Sequence, residues 1–209
     1  MIRLILADDH AIVRGGLRKL LAESGDMEVV GEAADGRQAL NLALDARVAW
    51  DVLVLDLSLP RVGGIEVLRR VSEARPGARV VVLSMYPEDQ YATQMVRAGA
   101  AAYVSKSMAP ETLLEAVRAV AATGTWRAAA AEVEDGATEG DALPHRALSS
   151  RELQVFNLIV EGHTVTDIAA QLDLHASTVS THLRAIRTKL DAPTVADIVR
   201  YAHRVGIIA

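Results

Sequence analysis

The sequence contains no cysteine among its 209 residues, and aromatic side chains make up only 3% of it. The absence of cysteine excludes disulfide bonds, thiolate chemistry and cysteine-based zinc sites. So few aromatic residues argue against a surface that binds single strands by stacking bases on rings. No apolar run approaches the roughly 20 residues that a membrane-spanning helix needs. We therefore expect a cytoplasmic protein without a membrane segment.

Hydrophobic residues supply 51% of the chain and charged residues 23%, as in an ordinary globular protein. The net charge of −5 means that any surface for nucleic acid must be local. Residues 123–147 carry two basic and five acidic side chains and have almost no large apolar ones. Such a segment cannot bury a core. We therefore predict a linker at 123–147 between domains at 1–122 and 148–209.

Short apolar runs alternate with helical patterns along residues 1–122. Apart from Arg3 in the first, each run is apolar at consecutive positions, which is typical of a strand buried on both faces. The apolar residues between the runs recur at helical spacing. Five such units predict an α/β fold with a doubly wound, five-stranded parallel sheet. The predicted strands are Ile2–Leu6, Val29–Val30, Val52–Leu55, Val80–Leu83 and Ala102–Val104.

Polar side chains follow four of these strands, at the point where each strand ends. Asp8 and Asp9 follow the first strand and Asp56 the third, while Ser84 and Lys106 follow the fourth and fifth. Sites in doubly wound sheets form beyond the carboxyl ends of the strands. Three carboxylates repel one another unless a cation lies among them, and oxygen ligands suit Mg²⁺. A carboxylate can also accept a phosphoryl group, whose charge the metal and the lysine would offset.

The pattern of residues 148–209 is helical throughout. Ser149 and Glu152 have the spacing of a capping box at the start of a first helix. A short second helix at Asp167–Leu172, a brief turn and a third helix at about Ala176–Leu190 predict a helix-turn-helix. The third helix has an apolar stripe for the core, and its small hydroxyls and cations suit the DNA major groove. Its candidate DNA-binding residues are Thr178, Ser180, Thr181, Arg184, Arg187 and Lys189.

The first 122 residues resemble the receiver domain of two-component response regulators, which has a flavodoxin-like fold. The resemblance implies that Asp56 is the phosphoacceptor. It also implies that Asp9, Asp56 and the backbone carbonyl of Ser58 bind Mg²⁺ directly, while Asp8 acts mainly through a metal-bound water. The motifs that carry it are Ala7-Asp8-Asp9-His10, Val30-Gly31-Glu32-Ala33, Asp51 to Asp56, Pro60 with Gly63-Gly64, Leu83-Ser84-Met85 and Tyr103-Val104-Ser105-Lys106.

The same resemblance implies a switch. Ser84 would follow the phosphate, Lys106 would be its ion-pair partner, and the rotamer of Tyr103 would report activation. Two positions depart from the usual receiver pattern. Ser107 stands where many receivers have a proline after a cis bond, and Gly63 stands where an aspartate is common. A cis bond before a residue other than proline costs roughly 3 kcal/mol, so the usual local geometry is not expected at Ser107. Gly63 should tune the loop and leaves the predicted ligand set intact.

Residues 148–209 resemble the LuxR-type helix-turn-helix, and the whole chain is similar to the NarL/FixJ subfamily of response regulators. The resemblance implies that Ser180, Thr181 and Arg184 reach base edges and that Thr178 and Lys189 touch phosphates. The matching residues are Leu148 to Glu152, Glu161-Gly162, Asp167-Ile168-Ala169, Ser177 to His182 and Lys189-Leu190.

Two positions depart from the LuxR-type pattern, and the last helix has an implied role. His175 stands where an N-cap serine is usual, which predicts a weaker cap, and Ser180 stands where a lysine is frequent. The last helix, at 194–205, commonly forms the dimer contact in this family. Its apolar residues are Val195, Ile198, Val199 and Ala202.

The main hypothesis is a transcriptional regulator whose binding to double-stranded DNA is controlled by phosphorylation of Asp56. Its expected partners are a sensor histidine kinase and a second copy of the chain, at least in the active state. One alternative is a hydrolase that works through an aspartyl phosphate, but the general acid expected two residues after the nucleophile is here Ser58. Another is a regulator that does not depend on phosphorylation, in which the first domain only docks or dimerises.

Overall fold

The computed structural model describes residues 1–85, 88–126 and 143–208. The chain divides into two compact units, Met1–Val133 and Glu134–Ala209. Over the residues described, no helix has both the length and the apolar character needed to cross a membrane.

The first unit is the predicted parallel sheet with flanking helices. Its five strands lie in the order β2-β1-β3-β4-β5, and every neighbouring pair is parallel. The strands are β1 Ile2–Ala7, β2 Met27–Ala33, β3 Val52–Asp56, β4 Val80–Ser84 and β5 Ala102–Ser105. The helices are α1 Ala11–Glu23, α2 Gly36–Leu44, α3 Gly64–Ala74, α4 Glu88–Arg97 and α5 Pro110–Thr123.

The three central strands form the core of this unit. All five residues of β3 and of β4 are buried, as are the last four of β1, because helices cover both faces of the sheet. The parallel pairing brings the carboxyl ends of β1, β3, β4 and β5 to one edge. This edge is where the sequence places its acidic and switch residues.

The second unit is entirely helical over its described residues. A 3₁₀ helix, Pro144–Ala147, precedes four α-helices. Capping boxes begin α6, α7 and α9, at Ser149, Thr164 and Thr194, each with an acidic residue three positions later. The α-helices are α6 Ser150–Val160, α7 Val165–Leu172, α8 Ala176–Leu190 and α9 Val195–Arg204.

The predicted linker lies mostly outside the described residues. At its start, Trp126 packs against the core of the first unit, and the backbone N–H of Trp126 donates to the carbonyl of Ala101 (3.0 Å). At its end, buried His145 contacts the hydroxyl of Tyr201 on α9 through Nδ1 (2.8 Å). These two ends belong to the neighbouring units, and the limits of the linker stay a prediction.

Candidate functional site

Three side chains from three strand ends meet in a buried cluster. The ammonium of Lys106, just after β5, lies 2.7 Å from Asp8 Oδ2 and 2.7 Å from Asp56 Oδ2. The two carboxylates are almost fully buried, at 1% and 3% side-chain exposure, and the lysine side chain is 12% exposed. Because buried charges are costly unless paired, this cation holds the two acids in place.

Asp9 and His10 complete the acidic pocket. Ligand atoms of Asp8, Asp9, His10 and Asp56 all lie within 4.8 Å of one another. Asp9 Oδ1 lies 2.8 Å from His10 Nδ1, yet it is buried and accepts no well-aligned hydrogen bond within the part of the chain described. A pocket of three carboxylates with one oxygen poorly satisfied fits a divalent cation with a preference for oxygen ligands.

The charges in the pocket shift two pKa values. Burial raises the pKa of the Asp56 carboxyl above its usual value; Lys106 opposes this rise and the Asp8 carboxylate adds to it. Burial would lower the pKa of Lys106, but attraction to Asp56 and Asp8 outweighs burial and raises that pKa. The lysine is therefore the fixed positive charge of the pocket.

The remaining predicted switch residues lie at the ends of β4 and β5. Ser84 ends β4 and is buried, and its carbonyl accepts a hydrogen bond from the N–H of Lys106 (2.7 Å). Tyr103 on β5 is 2% exposed and pairs with Val82 of β4. The peptide bond before Ser107 is trans, and the Ser107 hydroxyl lies 2.8 Å from that of Ser105. The serine at position 107 therefore replaces the usual proline without a cis bond.

The loop after β3 begins at Asp56 and returns to the sheet edge at α3. The N–H of Ser58 donates to Asp56 Oδ1 (3.1 Å), and the N–H of Gly64 donates to the carbonyl of Leu57 (3.1 Å). A Cβ at Gly64 would lie 2.2 Å from the carbonyl oxygen of Asp56. The backbone of α3 can start this close to Asp56 only because residue 64 has no side chain.

One cation beside the pocket was not among the predicted site residues. Arg14 on α1 donates from Nη1 to the carbonyl oxygen of Asp8 (2.7 Å), and its Nε lies 3.3 Å from Glu32 Oε2 on β2. Arg14 lies on the first turn of α1, five residues after the acidic pair Asp8-Asp9. This short separation is the only feature of the sequence that could have placed Arg14 near the pocket. Its partner Glu32 cannot be identified without knowing how β2 lies beside α1.

The second unit contains the predicted helix-turn-helix. Asp173 ends α7 in a left-handed conformation (φ 54°), and α8 begins three residues later. The predicted stripe of α8 is buried, whereas Ser180, Thr181 and Arg184 are exposed and Thr178 is half-buried. The buried stripe consists of Val179, Leu183, Ile186 and Leu190.

Of the two C-terminal cations of α8, Lys189 is exposed but ion-paired, and Arg187 is half-buried. Lys189 Nζ lies 2.6 Å from Glu152 Oε2 and donates to the carbonyl of Ala147 (3.1 Å), so it fastens α8 to the start of α6. Burial alone would raise the pKa of Glu152, but its interactions with Lys189 and Ser149 together outweigh burial and lower that pKa. Arg187 is half-buried, and its Nε has no hydrogen-bond partner among the described residues.

The predicted dimer face on α9 requires a correction. Ile198 and Ala202 are fully buried inside the second unit, so they are core residues and have no surface to offer a partner. Val195 is 37% exposed and Val199 is partly exposed. The predicted dimer contact is therefore wrong for Ile198 and Ala202, because their apolar side chains pack into the core of their own unit.

His175 occupies the N-cap position of α8, as the sequence predicts. Its side chain makes no capping hydrogen bond within the part of the chain described, whereas the threonines that begin α7 and α9 do. The expectation of a weaker cap is therefore confirmed.

Both units match known protein families. The family described as "Response regulator receiver domain" matches residues 4–118, and "Bacterial regulatory proteins, luxR family" matches residues 146–202. Response regulator UvrY of Escherichia coli (strain K12) is 32% identical over 99% of this chain and 96% of its own length. Transcriptional regulatory protein LiaR of Bacillus subtilis (strain 168) is 34% identical over 98% of each chain.

Solved structures agree with these matches. RcsB from Salmonella enterica serovar Typhimurium, bound to promoter rprA in the presence of phosphomimetic BeF₃⁻, is 27% identical. The match covers 96% of this chain and 98% of RcsB, with a TM-score of 0.67. The matched families and relatives are described as regulators, which favours a regulator over the hydrolase alternative. The chain belongs to the NarL/FixJ subfamily of two-component response regulators, with a receiver domain followed by a LuxR-type DNA-binding domain.

Proposed function

We propose that phosphorylation of Asp56 controls the binding of this regulator to double-stranded DNA. The observation that carries the proposal is the cluster at the sheet edge, where Asp56 lies beside Asp8 and 2.7 Å from the ammonium of Lys106. Three carboxylates gathered in one pocket repel one another, which costs free energy unless a bound ligand offsets the repulsion. A structural role alone does not explain this arrangement.

Asp56 is the proposed nucleophile. One of its carboxylate oxygens forms the new bond to phosphorus while the bond from phosphorus to the histidine nitrogen of the sensor kinase breaks. Lys106 stays charged and attracts the phosphoryl oxygens, and the hydroxyl of Ser84 donates to one of them. Asp9, Asp56 and the carbonyl of Ser58 would hold Mg²⁺ directly, and Asp8 would act mainly through a water on the ion. The ion would supply further positive charge to offset that of the phosphoryl oxygens.

The signal would leave the pocket through β4 and β5. A backbone hydrogen bond of 2.7 Å joins Ser84 to Lys106, so a movement of the end of β4 also moves the end of β5. Tyr103 lies on β5 three residues before Lys106 and is the proposed reporter of this shift. A phosphate that binds one arrangement of these strands more tightly raises the population of that arrangement.

The output is the exposed face of α8. Ser180, Thr181 and Arg184 are the proposed contacts to bases, and Thr178 is the proposed contact to a phosphate. Because Lys189 is held by Glu152, we propose that it supports DNA binding mainly by fixing α8. Arg187 stays a predicted contact on the flank of the helix.

The active form is proposed to be a homodimer on a two-fold DNA site, as expected for a domain with few cations. On α9, only Val195 and Val199 of the predicted dimer face remain available to a partner. Solved structures of RcsB include one of two dimers bound to two DNAs, which supports this proposal. Since DNA and the kinase's phosphohistidine are cytoplasmic ligands, we propose that the protein acts in the cytoplasm.

The test of the phosphoacceptor is intact mass after incubation with acetyl phosphate and Mg²⁺. We expect one phosphoryl adduct on the wild-type chain and none on Asp56→Asn, because an amide oxygen is a poor nucleophile. An adduct on both proteins would place the phosphoryl group elsewhere. The absence of an adduct on either would favour the regulator that does not depend on phosphorylation.

The test of the output compares DNA affinity before and after phosphorylation at fixed salt. We expect phosphorylation to tighten specific binding, and Arg184→Ala to weaken it by about tenfold, as for the loss of one base contact. Arg200→Ala on α9 is the matched control, because Arg200 pairs with Asp197 of its own helix. Equal losses for the two variants would exclude α8 as the reading helix. Equal affinity with and without phosphate would favour the phosphorylation-independent alternative.

A further inference from the structure

Arg61 has a backbone conformation that is unusual for its residue type. It lies in the loop that leads from Asp56 to α3, and its φ is +64°, in the left-handed region. A residue with a Cβ adopts this region less favourably than the right-handed one, because the Cβ comes too close to the following carbonyl oxygen. A loop that keeps an arginine there requires other contacts to stabilise it.

Those contacts come from the neighbouring loop between β2 and α2. Arg61 Nη1 lies 2.9 Å from Asp35 Oδ2, and the Asp35 side chain is only 5% exposed. The same carboxylate caps α2 by accepting from the N–H of Gln38 (2.9 Å) and from Gln38 Nε2 (2.6 Å). Asp35 is therefore a fixed anchor, and Arg61 is fastened to it.

The backbones of the two loops also touch. The carbonyl of Pro60 accepts hydrogen bonds from the N–H of Gly36 (3.2 Å) and of Val62 (2.8 Å). A Cβ at Gly36 would lie 1.7 Å from the carbonyl oxygen of Val62, so only glycine allows this approach. Together with the ion pair, these contacts clamp the middle of the loop, two to four residues after Ser58.

We propose that Arg61 and Asp35 are positioning residues for the phosphoacceptor site, which act by fixing the loop that carries Ser58. This inference rests on the proposed function, because Ser58 offers its carbonyl to the metal only if the acidic pocket binds Mg²⁺. The contacts described above for Arg61 and Asp35 join them to each other and to the start of α2, outside the acidic pocket. Their effect is on where the Ser58 carbonyl lies relative to Asp56, and hence on how tightly the pocket binds Mg²⁺ and how fast Asp56 is phosphorylated.

Arg61→Gly separates this role from a purely structural one. Glycine adopts the left-handed region without strain, so the variant relieves the backbone while it removes the ion pair. We expect thermal stability without Mg²⁺ to stay close to that of the wild-type chain. We expect the dissociation constant for Mg²⁺, measured by titration calorimetry, to rise about fivefold, within the range of coupling between neighbouring groups. The rate of phosphorylation by acetyl phosphate should fall with it.

Three further variants sharpen the test. Arg61→Lys keeps a cation within reach of Asp35 and should recover most of the Mg²⁺ affinity. Asp35→Asn keeps an acceptor for the α2 cap but removes the charge, so its affinity for Mg²⁺ should match that of Arg61→Gly. The double variant should bind Mg²⁺ no more weakly than either single variant. Arg47→Gly is the matched control, because Arg47 also pairs in a loop, with Asp45, at the opposite edge of the sheet.

The outcomes are distinguishable. If the wild-type chain neither binds Mg²⁺ nor gains a phosphoryl group, the proposed function fails and this inference fails with it. If the wild-type chain does both and Arg61→Gly binds Mg²⁺ with wild-type affinity, only the positioning role is overturned. A loss of affinity in Arg47→Gly as large as that in Arg61→Gly would also overturn it.

Discussion

Replacing Lys106 by methionine is expected to destabilise the receiver domain in the absence of Mg²⁺. The ammonium is the only cation within 4 Å of the buried Asp8 and Asp56 carboxylates over the described residues, apart from His10. Methionine keeps much of the aliphatic length but leaves two buried acids without their counter-ion. Breaking a buried ion pair in this way costs about 3–5 kcal/mol, and we expect about 3 because the acids can take up a proton.

Tryptophan fluorescence provides an assay specific to this domain. Both tryptophans of the chain, Trp50 and Trp126, pack in the first unit. With a urea dependence of about 1.5 kcal/mol per molar, a loss of 3 kcal/mol lowers the unfolding midpoint by about 2 M. Lys19→Met is the matched control, because Lys19 pairs with Glu23 in an exposed helical pair (3.7 Å) and should change stability by less than about 0.5 kcal/mol.

The pH dependence of the same variant has a definite sign. Without the ammonium, the pKa of Asp56 rises further above its unfolded value. A carboxyl whose folded pKa is raised lowers stability at pH values above its unfolded pKa, so the deficit of Lys106→Met should grow as the pH rises from the unfolded towards the folded pKa of Asp56. Mg²⁺ should restore more stability to this variant than to the wild-type chain. Equal urea midpoints for Lys106→Met and Lys19→Met would refute the reasoning.

Three other substitutions, two of them paired with a control variant, test the packing of the two domains. Gly64→Ala places a Cβ 2.2 Å from a backbone oxygen and should lower the free energy of unfolding by about 2 kcal/mol or more. Its control, Gly15→Ala, has open space around the new Cβ and should stabilise α1 by about 0.5–1 kcal/mol. Urea unfolding followed by fluorescence measures both changes. Ile198→Ala should lower the free energy of unfolding of the second domain by about 3 kcal/mol, and its control Val195→Ala should lower it by less than about 0.5 kcal/mol. Unfolding followed by circular dichroism measures both changes. Glu152→Gln should speed hydrogen exchange in α8 at neutral pH. Because the folded pKa of Glu152 is lowered, its carboxylate stabilises the wild-type domain at pH values above the unfolded pKa. The variant lacks this stabilisation, so the difference in stability between the two proteins should vanish as the pH falls through the folded pKa.

The strands that pattern alone predicts well are the buried ones. In β3 and β4 every residue is apolar until the functional residue at the end, so the predicted strands differ from the observed ones only in that last residue. The edge strand β2 was predicted as Val29–Val30 but spans Met27–Ala33. It pairs only with β1 and exposes Glu28 and Glu32, so it lacks a continuous apolar run.

The site shows the same division between local and distant signals. Asp56 and Lys106 could be predicted because each directly follows a strand, and parallel pairing brings such positions together. The ion pair of Lys189 joins residues 37 apart and depends on how α8 packs on α6. No local pattern distinguishes a lysine held in this way from one that faces DNA.

The burial of Ile198 and Ala202 follows from the size of the domain. A four-helix domain of about 60 residues needs nearly every apolar stripe for its own core. The apolar spacing on α9 predicts which face is hydrophobic, but not whether that face meets its own domain or a partner. Only the packing of α9 against α6 and α8 settles this question.

The missing side-chain cap at His175 has a thermodynamic consequence for DNA binding. In the described part of the chain, the side chain of the N-cap residue His175 accepts no hydrogen bond from the amides that begin α8, so we expect the first turn of α8, which carries Thr178, to fray more readily than those of α7 and α9. DNA that contacts this turn must order it, and the conformational entropy lost offsets part of the binding enthalpy. Restoring the cap with His175→Ser would remove that entropic penalty in advance, so tighter binding would come with a smaller enthalpy change.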